Sequence, residues 1–275
     1  GSGRAPGRVR ALFCVRTSYL QRRRCVQCVR GGATVCFSTQ RFQIIMQRTE
    51  VRFGDTVLRL NGDGSADIPE FHSLLIADVH LGKSGVFRKA GIPAPQGLHK
   101  KNLDQLASAF AAHPAATVIF LGDVFHGLQN KETQSLQLLL NAHPEHTFIL
   151  VKGNHDFDLP EWKQLTVVDQ WQVGPLVCLH EPPGSDFDTD TPFTIAAAQQ
   201  RFPTLAKDVF LVCGHLHPGV ALRGKGRSRA RIKAFYSNQW LCVLPAFGTF
   251  TGQHPLKVPG TYYGIVDGTI IKLKE

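Results

Sequence analysis

The chain has 275 residues, 43% of them apolar and 19% charged, with a formal net charge of +10. That apolar share supports a packed core and argues against a disordered chain, and no apolar stretch approaches the ~20 residues needed to span a bilayer. Seven cysteines, an odd number, argue against a secreted disulfide scaffold and lead us to expect a reducing, cytoplasmic location with no membrane partner.

The charge is concentrated at the start. Residues 1–45 hold nine Arg and no Lys, Asp or Glu, which leaves 10 − 9 = +1 for the rest. Gly1-Ser2 resembles a cloning scar and the only methionine is Met46. Residues 1–45 are therefore expected to be a non-native, disordered leader, and residues 46–275, 275 − 45 = 230 in number, the folded domain. A transit peptide, Arg-rich and acid-poor, is the alternative. Cys14, Cys25, Cys28 and Cys36 include one C-x-x-C but no paired zinc spacing.

Beyond Met46 the elements follow in order. Residues 51–60, around Gly54-Asp55, read as an opening hairpin. Residues 74–77, Leu-Leu-Ile-Ala, read as a buried strand running into Asp78-Val79-His80. Lys83 and Arg88 follow in a Gly-containing loop, where cations could hold a phosphate oxygen. Leu98–Ala112 places Leu103, Leu106, Ala107 and Phe110 on one face of an amphipathic helix. A strand at residues 118–121 runs into Gly122-Asp123, with His126 three residues on; a helix at 133–142 precedes a strand at 148–151 that ends in Gly153-Asn154-His155-Asp156. This alternation predicts parallel strands joined by right-handed crossovers.

Two more apolar runs, 176–179 and 209–213, lead into His180 and Gly214-His215-Leu216-His217. Cys178 and Cys213 within them read as small buried residues. The run from Arg223 to Arg231 carries five cations and no acid; it reads as a charged hairpin tip, or as a contact for a polyanion such as nucleic acid. A strand at 239–244 and a last hairpin, 262–266 with 269–273 turning at Asp267-Gly268, complete the chain.

Five strand ends thus carry ligand-type side chains, and loops beyond strand C-termini are where open α/β sheets bind ligands. Two divalent ions ~3.5–4 Å apart can clamp a phosphoryl group and share a hydroxide, and they need a carboxylate between them. Asp123, alone after its strand, is the candidate bridge. Asp78 with His80, and His215 with His217, are each separated by one residue, which in a strand puts both side chains on one face, so each pair could reach a metal. Asn154 offers a neutral oxygen. His155 beside it must point elsewhere and is free to act as a general acid or to stabilise negative charge, with Asp156 holding its tautomer. His126 is a further candidate to face the substrate. Imidazole and carboxylate together suit manganese, iron or zinc and argue against magnesium alone.

The order D-x-H, G-D, G-N-H-D, H and G-H-x-H, from about Gln47 to the C-terminus, resembles the calcineurin-like metallophosphoesterase superfamily. The resemblance implies an αββα sandwich, two mixed β-sheets flanked by helices. It also implies Asp78, His80 and His217 on one metal, Asn154, His180 and His215 on the other, Asp123 bridging, and His155 facing the substrate. The segments around Asp78–Pro93, Leu121–His126 and Leu244–Gly252 are similar to the bacterial ligase-associated DNA damage response endonucleases. That likeness implies a manganese-dependent phosphodiesterase acting on DNA in repair, with an ATP-dependent DNA ligase, a helicase and an exonuclease as associates. A phosphomonoesterase or nucleotide pyrophosphatase would share every metal ligand and is the alternative; a non-catalytic scaffold is a second.

Overall fold

A strand buried on both faces needs a layer on each side. Leu74 and Ile76 face one hydrophobic cluster while Leu75 and Ala77 face another, so a layered sandwich follows from the first catalytic-type strand alone. A computed structural model of the chain describes residues 49–93, 95, 97–126, 130–156, 162–183, 196, 199, 200, 203, 209–223, 229–256 and 258–274. The Arg-rich segment 1–45 with its four cysteines lies outside the described residues.

Two mixed sheets pack face to face. The first holds, in spatial order, β1 (Glu50–Phe53), β2 (Thr56–Leu60), β3 (Ala66–Ile68), β4 (Ser73–Ile76), β5 (Thr117–Leu121), β6 (Thr147–Val151) and β7 (Leu165–Val168). It is antiparallel from β1 to β4 and parallel from β4 to β7. The second comprises β8 (Trp171–Val173), β9 (Leu176–Cys178), β10 (Phe210–Cys213), β11 (Gly219–Arg223), β12 (Arg229–Ser237), β13 (Leu241–Val243), β14 (Thr261–Val266) and β15 (Thr269–Lys274). Its order is β15-β14-β12-β13-β10-β9-β8, with β11 paired to β12, and its centre, β9-β10-β13, is parallel.

Among the described residues three α-helices are bounded: α1 (Lys83–Lys89), α2 (Leu98–Ala112) and α3 (Asn130–Asn141). Leu106 and Phe110 of α2, with Leu136 and Leu140 of α3, pack on Leu74, Val118, Phe120 and Phe148 of the first sheet. Between the sheets Leu75, Ile119 and Ile149 meet Val177, Leu211 and Tyr236. The predicted parallel pairing of β4, β5 and β6, both hairpins and α2 are present. The final turn has φ of 48° at Asp267 and 74° at Gly268, the pair of left-handed residues a type I′ turn requires. Cys178, Cys213 and Cys242 are buried and in no disulfide among the described residues, which fits the packing role expected of the first two.

One expected loop is a helix instead. Lys83 opens α1, because the left-handed Gly82 (φ 87°) turns the chain directly into a helical turn. Of the basic run, 224–228 lie outside the described residues, while β11 and β12 pair from Gly219↔Lys233 to Arg223↔Arg229 on either side of it. No helix among the described residues is long and apolar enough to cross a membrane.

Candidate metal centre

Parallel pairing brings the C-terminal ends of β4, β5 and β6 together, and those of β9 and β10 face them across the core. Beyond the strands the chains stay zipped. The Asp78 N–H donates to the Gly122 carbonyl (3.2 Å), His80 N–H to Asp123 O (2.9 Å), and His126 N–H to Leu81 O (2.8 Å). The sheets are joined across the site by the His215 N–H, which donates to Asp78 Oδ2 at 2.8 Å.

The expected strand alternation of Asp78 with His80 and of His215 with His217 does not hold. β4 stops at Ile76 and β10 at Cys213. The ligand-type residues beyond adopt left-handed backbone: φ is 53° at Asp78, 50° at His80, 48° at Asp123, 69° at His215 and 46° at His217. Each costs about 1 kcal/mol or more for a residue with a Cβ. Asp78 and His80 still reach one cluster, through left-handed turns and not through strand alternation, and the members of the second pair go to different clusters.

Ligand atoms of Asp78, His80 and His217 all lie within 4.8 Å of one another, and so do those of Asp123, His180 and His215. In the first cluster the two Nε2 atoms of His80 and His217 stand 3.2 Å apart, and His217 Nε2 is 3.6 Å from Asp78 Oδ1. In the second, His180 Nε2 is 3.1 Å from His215 Nδ1 and 3.5 Å from Asp123 Oδ1. The other oxygen of Asp123, Oδ2, lies 4.0 Å from His80 Nε2. One carboxylate therefore faces both clusters.

These groups fit a pair of cations. Asp78 Oδ1 is buried and, among the described residues, has no hydrogen-bond partner, a costly state for a carboxylate oxygen that a cation would relieve. Burial would raise the Asp78 pKa, but neighbouring His217 first, then His180 and His80, hold it below the usual range. Burial, followed by the nearby Lys83, His217 and His126, pushes His80 down to about 2 despite Asp78, and burial also lowers His215. The carboxylate is charged and both imidazoles are neutral, the forms that ligate metals. His180 Nδ1 sits 2.8 Å from the Leu121 carbonyl; donating there, it leaves the Nε2 lone pair facing the site. A Cβ at Gly122 would overlap the His180 ring, one at Gly153 the Asp123 carboxylate, and one at Gly214 the Asp78 carboxylate. Glycine keeps the cradle open.

Asn154 and His155 occupy the exposed turn after β6. The His155 N–H donates to Asp123 Oδ1 at 2.9 Å, while its ring, 44% exposed, holds Nε2 4.0 Å from Asp123 Oδ2. Asp156 is expected to hold that ring, but its oxygens accept the N–H groups of Phe125 (3.1 Å) and Gly153 (3.0 Å) instead. Burial raises its pKa. It splints the turn to the loop after β5.

His126 joins the site, its ring centroid 4.4 Å from that of His155 and 5.3 Å from that of His80. Burial first, then His155 and Lys83, lower it to about 4. Lys83 is half-buried and feels both Asp123 and Asp78. Arg88 is not brought in: it is exposed and donates to the Pro95 carbonyl at 3.4 Å, because the helical turn of α1 carries it away from Lys83.

Three residues had no motif to announce them. Buried Asn102 of α2 donates to the Val79 carbonyl, between two ligands, at 3.2 Å, and its Oδ1 accepts from Thr249 N (3.1 Å) and Oγ1 (2.8 Å). A polar residue one turn before Leu106 on the apolar face was the available signal. Lys233 Nζ donates to the Phe247 and Gly248 carbonyls at 3.0 and 2.9 Å, and burial lowers its pKa to about 8. These two anchor the turn whose Phe247 and Gly248 N–H groups donate to Ala77 O (2.8 Å) and Asp78 O (3.1 Å). His254 N–H donates to the His217 carbonyl at 2.9 Å, and the two rings lie 6.3 Å apart.

Residues 71–230 match the family described as calcineurin-like phosphoesterase. No curated protein matches the chain. Among solved structures, nuclease MPE of Pseudomonas putida is similar at 25% identity and a TM-score of 0.63, over 82% of this chain and 100% of that one. A protein of unknown function from Aquifex aeolicus shares 20% identity over 57% of this chain and 82% of its own, with a TM-score of 0.35. A Streptococcus pneumoniae protein described as a predicted phosphoesterase shares 15% over 72% and 84%, with a TM-score of 0.29.

Proposed function

The chain belongs to the calcineurin-like phosphoesterase family, a premise given by residues 71–230, and we propose that it is a two-metal phosphodiesterase that cuts DNA, with manganese as its native ion. Membership makes it a metal-dependent phosphoesterase; the diester and the nucleic acid are our reading, supported by its similarity to a nuclease over the whole of that chain.

The observation that carries the two-metal reading is Asp123, which turns Oδ1 to His180 at 3.5 Å and Oδ2 to His80 at 4.0 Å. In this reading Asp78, His80 and His217 hold one ion, Asn154, His180 and His215 the other, and Asp123 joins them. Bound ions supply Lewis acidity toward the phosphoryl oxygens and an activated water. The chain's own residues do the rest. His155, oriented through its N–H on Asp123, presents an exposed imidazole that, when protonated, gives its Nε2 proton to the leaving oxygen. His126 beside it and Lys83 offer donor hydrogens to the non-bridging oxygens. A role in DNA repair beside an ATP-dependent DNA ligase, a helicase and an exonuclease rests on the motif resemblance, and a cytoplasmic setting on the odd cysteine count. We likewise assign the catalytic domain to residues 46–275.

A panel of bis(p-nitrophenyl) phosphate, p-nitrophenyl phosphate and single-stranded DNA, assayed with manganese, tests the proposal. Cleavage of the diester and of DNA is expected, and hydrolysis of the monoester alone would refute it. His155→Ala is expected to lower kcat by 100-fold or more while manganese binding, read by calorimetry, persists; Asp123→Asn is expected to lose both. Full turnover in either variant removes the assigned roles.

A further inference from the structure

We propose that His143, Glu145 and His146 form a zinc-binding site at the opposite end of β6 from the catalytic centre. The three residues close the loop between α3 and β6, and one ligand atom from each lies within 4.8 Å of the others. Glu145 Oε1 is the middle of the group, 3.0 Å from His143 Nδ1 and 3.6 Å from His146 Nε2. Donor atoms bound at ~2.0–2.1 Å to a tetrahedral ion stand about 3.3 Å apart. The two observed spacings bracket that value, so an ion needs only small shifts of the side chains.

The arrangement is held from behind. His146 is only 6% exposed, and its Nδ1 donates to the Ala115 carbonyl at 2.6 Å, which leaves the Nε2 lone pair directed at Glu145. A carbonyl fixing the tautomer of a ligating imidazole is the usual second support of a zinc site. Phe110 packs edge-on against both rings, at 5.3 Å from His143 and 5.8 Å from His146. The loop itself is pinned by the His146 N–H on His143 O at 3.2 Å, and Pro144 between them restricts φ. Two imidazoles and a carboxylate with a fourth position open to water are a zinc donor set. Bound there, the ion ties the α3–β6 loop to the segment before β5 that carries Ala115. It uses none of the residues assigned to the catalytic centre.

Metal-stripped protein loaded with zinc, desalted and counted by atomic emission provides the test. His143→Asn and Glu145→Gln change surface side chains and leave His146 packed; each is expected to retain one equivalent fewer than the wild type. Asp123→Asn with His217→Ala, which disables the catalytic centre, is expected to keep that equivalent, and zinc-edge anomalous diffraction to place it on His146 Nε2. Equal counts in wild type and His143→Asn, or no anomalous peak at His146, overturn the site whatever the catalytic centre holds.

Discussion

At the scale of single residues, the proposed metal centre depends on groups outside its ligand set. Five ligand-type residues sit at positive φ, a conformation that persists only when the surroundings over-determine it. Asn102 is such a surrounding: its amide N–H binds the Val79 carbonyl between Asp78 and His80, and its oxygen takes both donors of Thr249. Asn102→Ala strands these buried groups and is expected to cost about 1–3 kcal/mol in denaturant unfolding. The same change frees the Asp78–His80 turn, so manganese affinity should fall by about 10–100-fold, the loss usual for an outer support of a metal ligand. Asn102→Asp keeps the acceptor for Thr249 but loses the donor to Val79, and is expected to weaken manganese binding comparably. Lowered stability with unaltered manganese affinity in both variants would limit Asn102 to packing.

At the scale of elements, the loop after β5 combines two demands at Gly122. Its φ is +76°, and a Cβ there would overlap the Nδ1 edge of His180, the edge that bonds the Leu121 carbonyl. Gly97, before α2, has the same φ of +76° with nothing within 4 Å of an added Cβ, so it isolates the backbone cost. Gly97→Ala is expected to lose about 1 kcal/mol of stability and no metal. Gly122→Ala should lose more and also shed the ion on the His180 side, seen as a lower manganese stoichiometry; equal behaviour of the two variants would remove the steric argument. The contrast marks what was legible in the chain. Strand runs such as 148–151 and the Asp267-Gly268 turn announce themselves, because apolar continuity and turn chemistry are local. The five ligand segments announce their chemistry for the same reason. The left-handed twist that aims Asp78 and His80 was not legible, since it is imposed by Gly248, Asn102 and Asp123 from distant elements. Arg88 misled because α1 starts from Gly82 and not from an apolar period. The short strands β3, β7 and β8 carry too few residues to show a pattern of their own.

At the scale of the whole molecule, folding stability should depend on pH through His113, which belongs to neither ligand cluster. At the end of α2 its Nε2 lies 3.3 Å from Asp63 Oδ2 and its Nδ1 3.4 Å from Asp67 Oδ2, tying the helix to the β2–β3 turn and to β3 of the first sheet. Hydrogen bonds that His113 donates to Asp63 first and Asp67 second raise its pKa to about 9, against the opposing effect of burial. For Asp63 burial acts upward, but His113 and Ser65 prevail and hold it below the usual range. The unfolded imidazole titrates near ~6.5. A folded value above the unfolded one stabilises the native state fully below that pH, and the contribution fades as pH rises through about 9. Because His113 is 20% exposed and Asp63 29%, solvent screens part of the gain, and about 1–2 kcal/mol is expected. His113→Gln should therefore be destabilised by that amount in urea unfolding at a pH of about 6 and nearly match the wild type at about 9.5. Lowering the pH through the carboxylate range removes the same link from the other side, as Asp63 takes up its proton. A His113→Gln penalty that stays constant between the two pH values would show that the imidazole only fills space between α2 and the sheet edge.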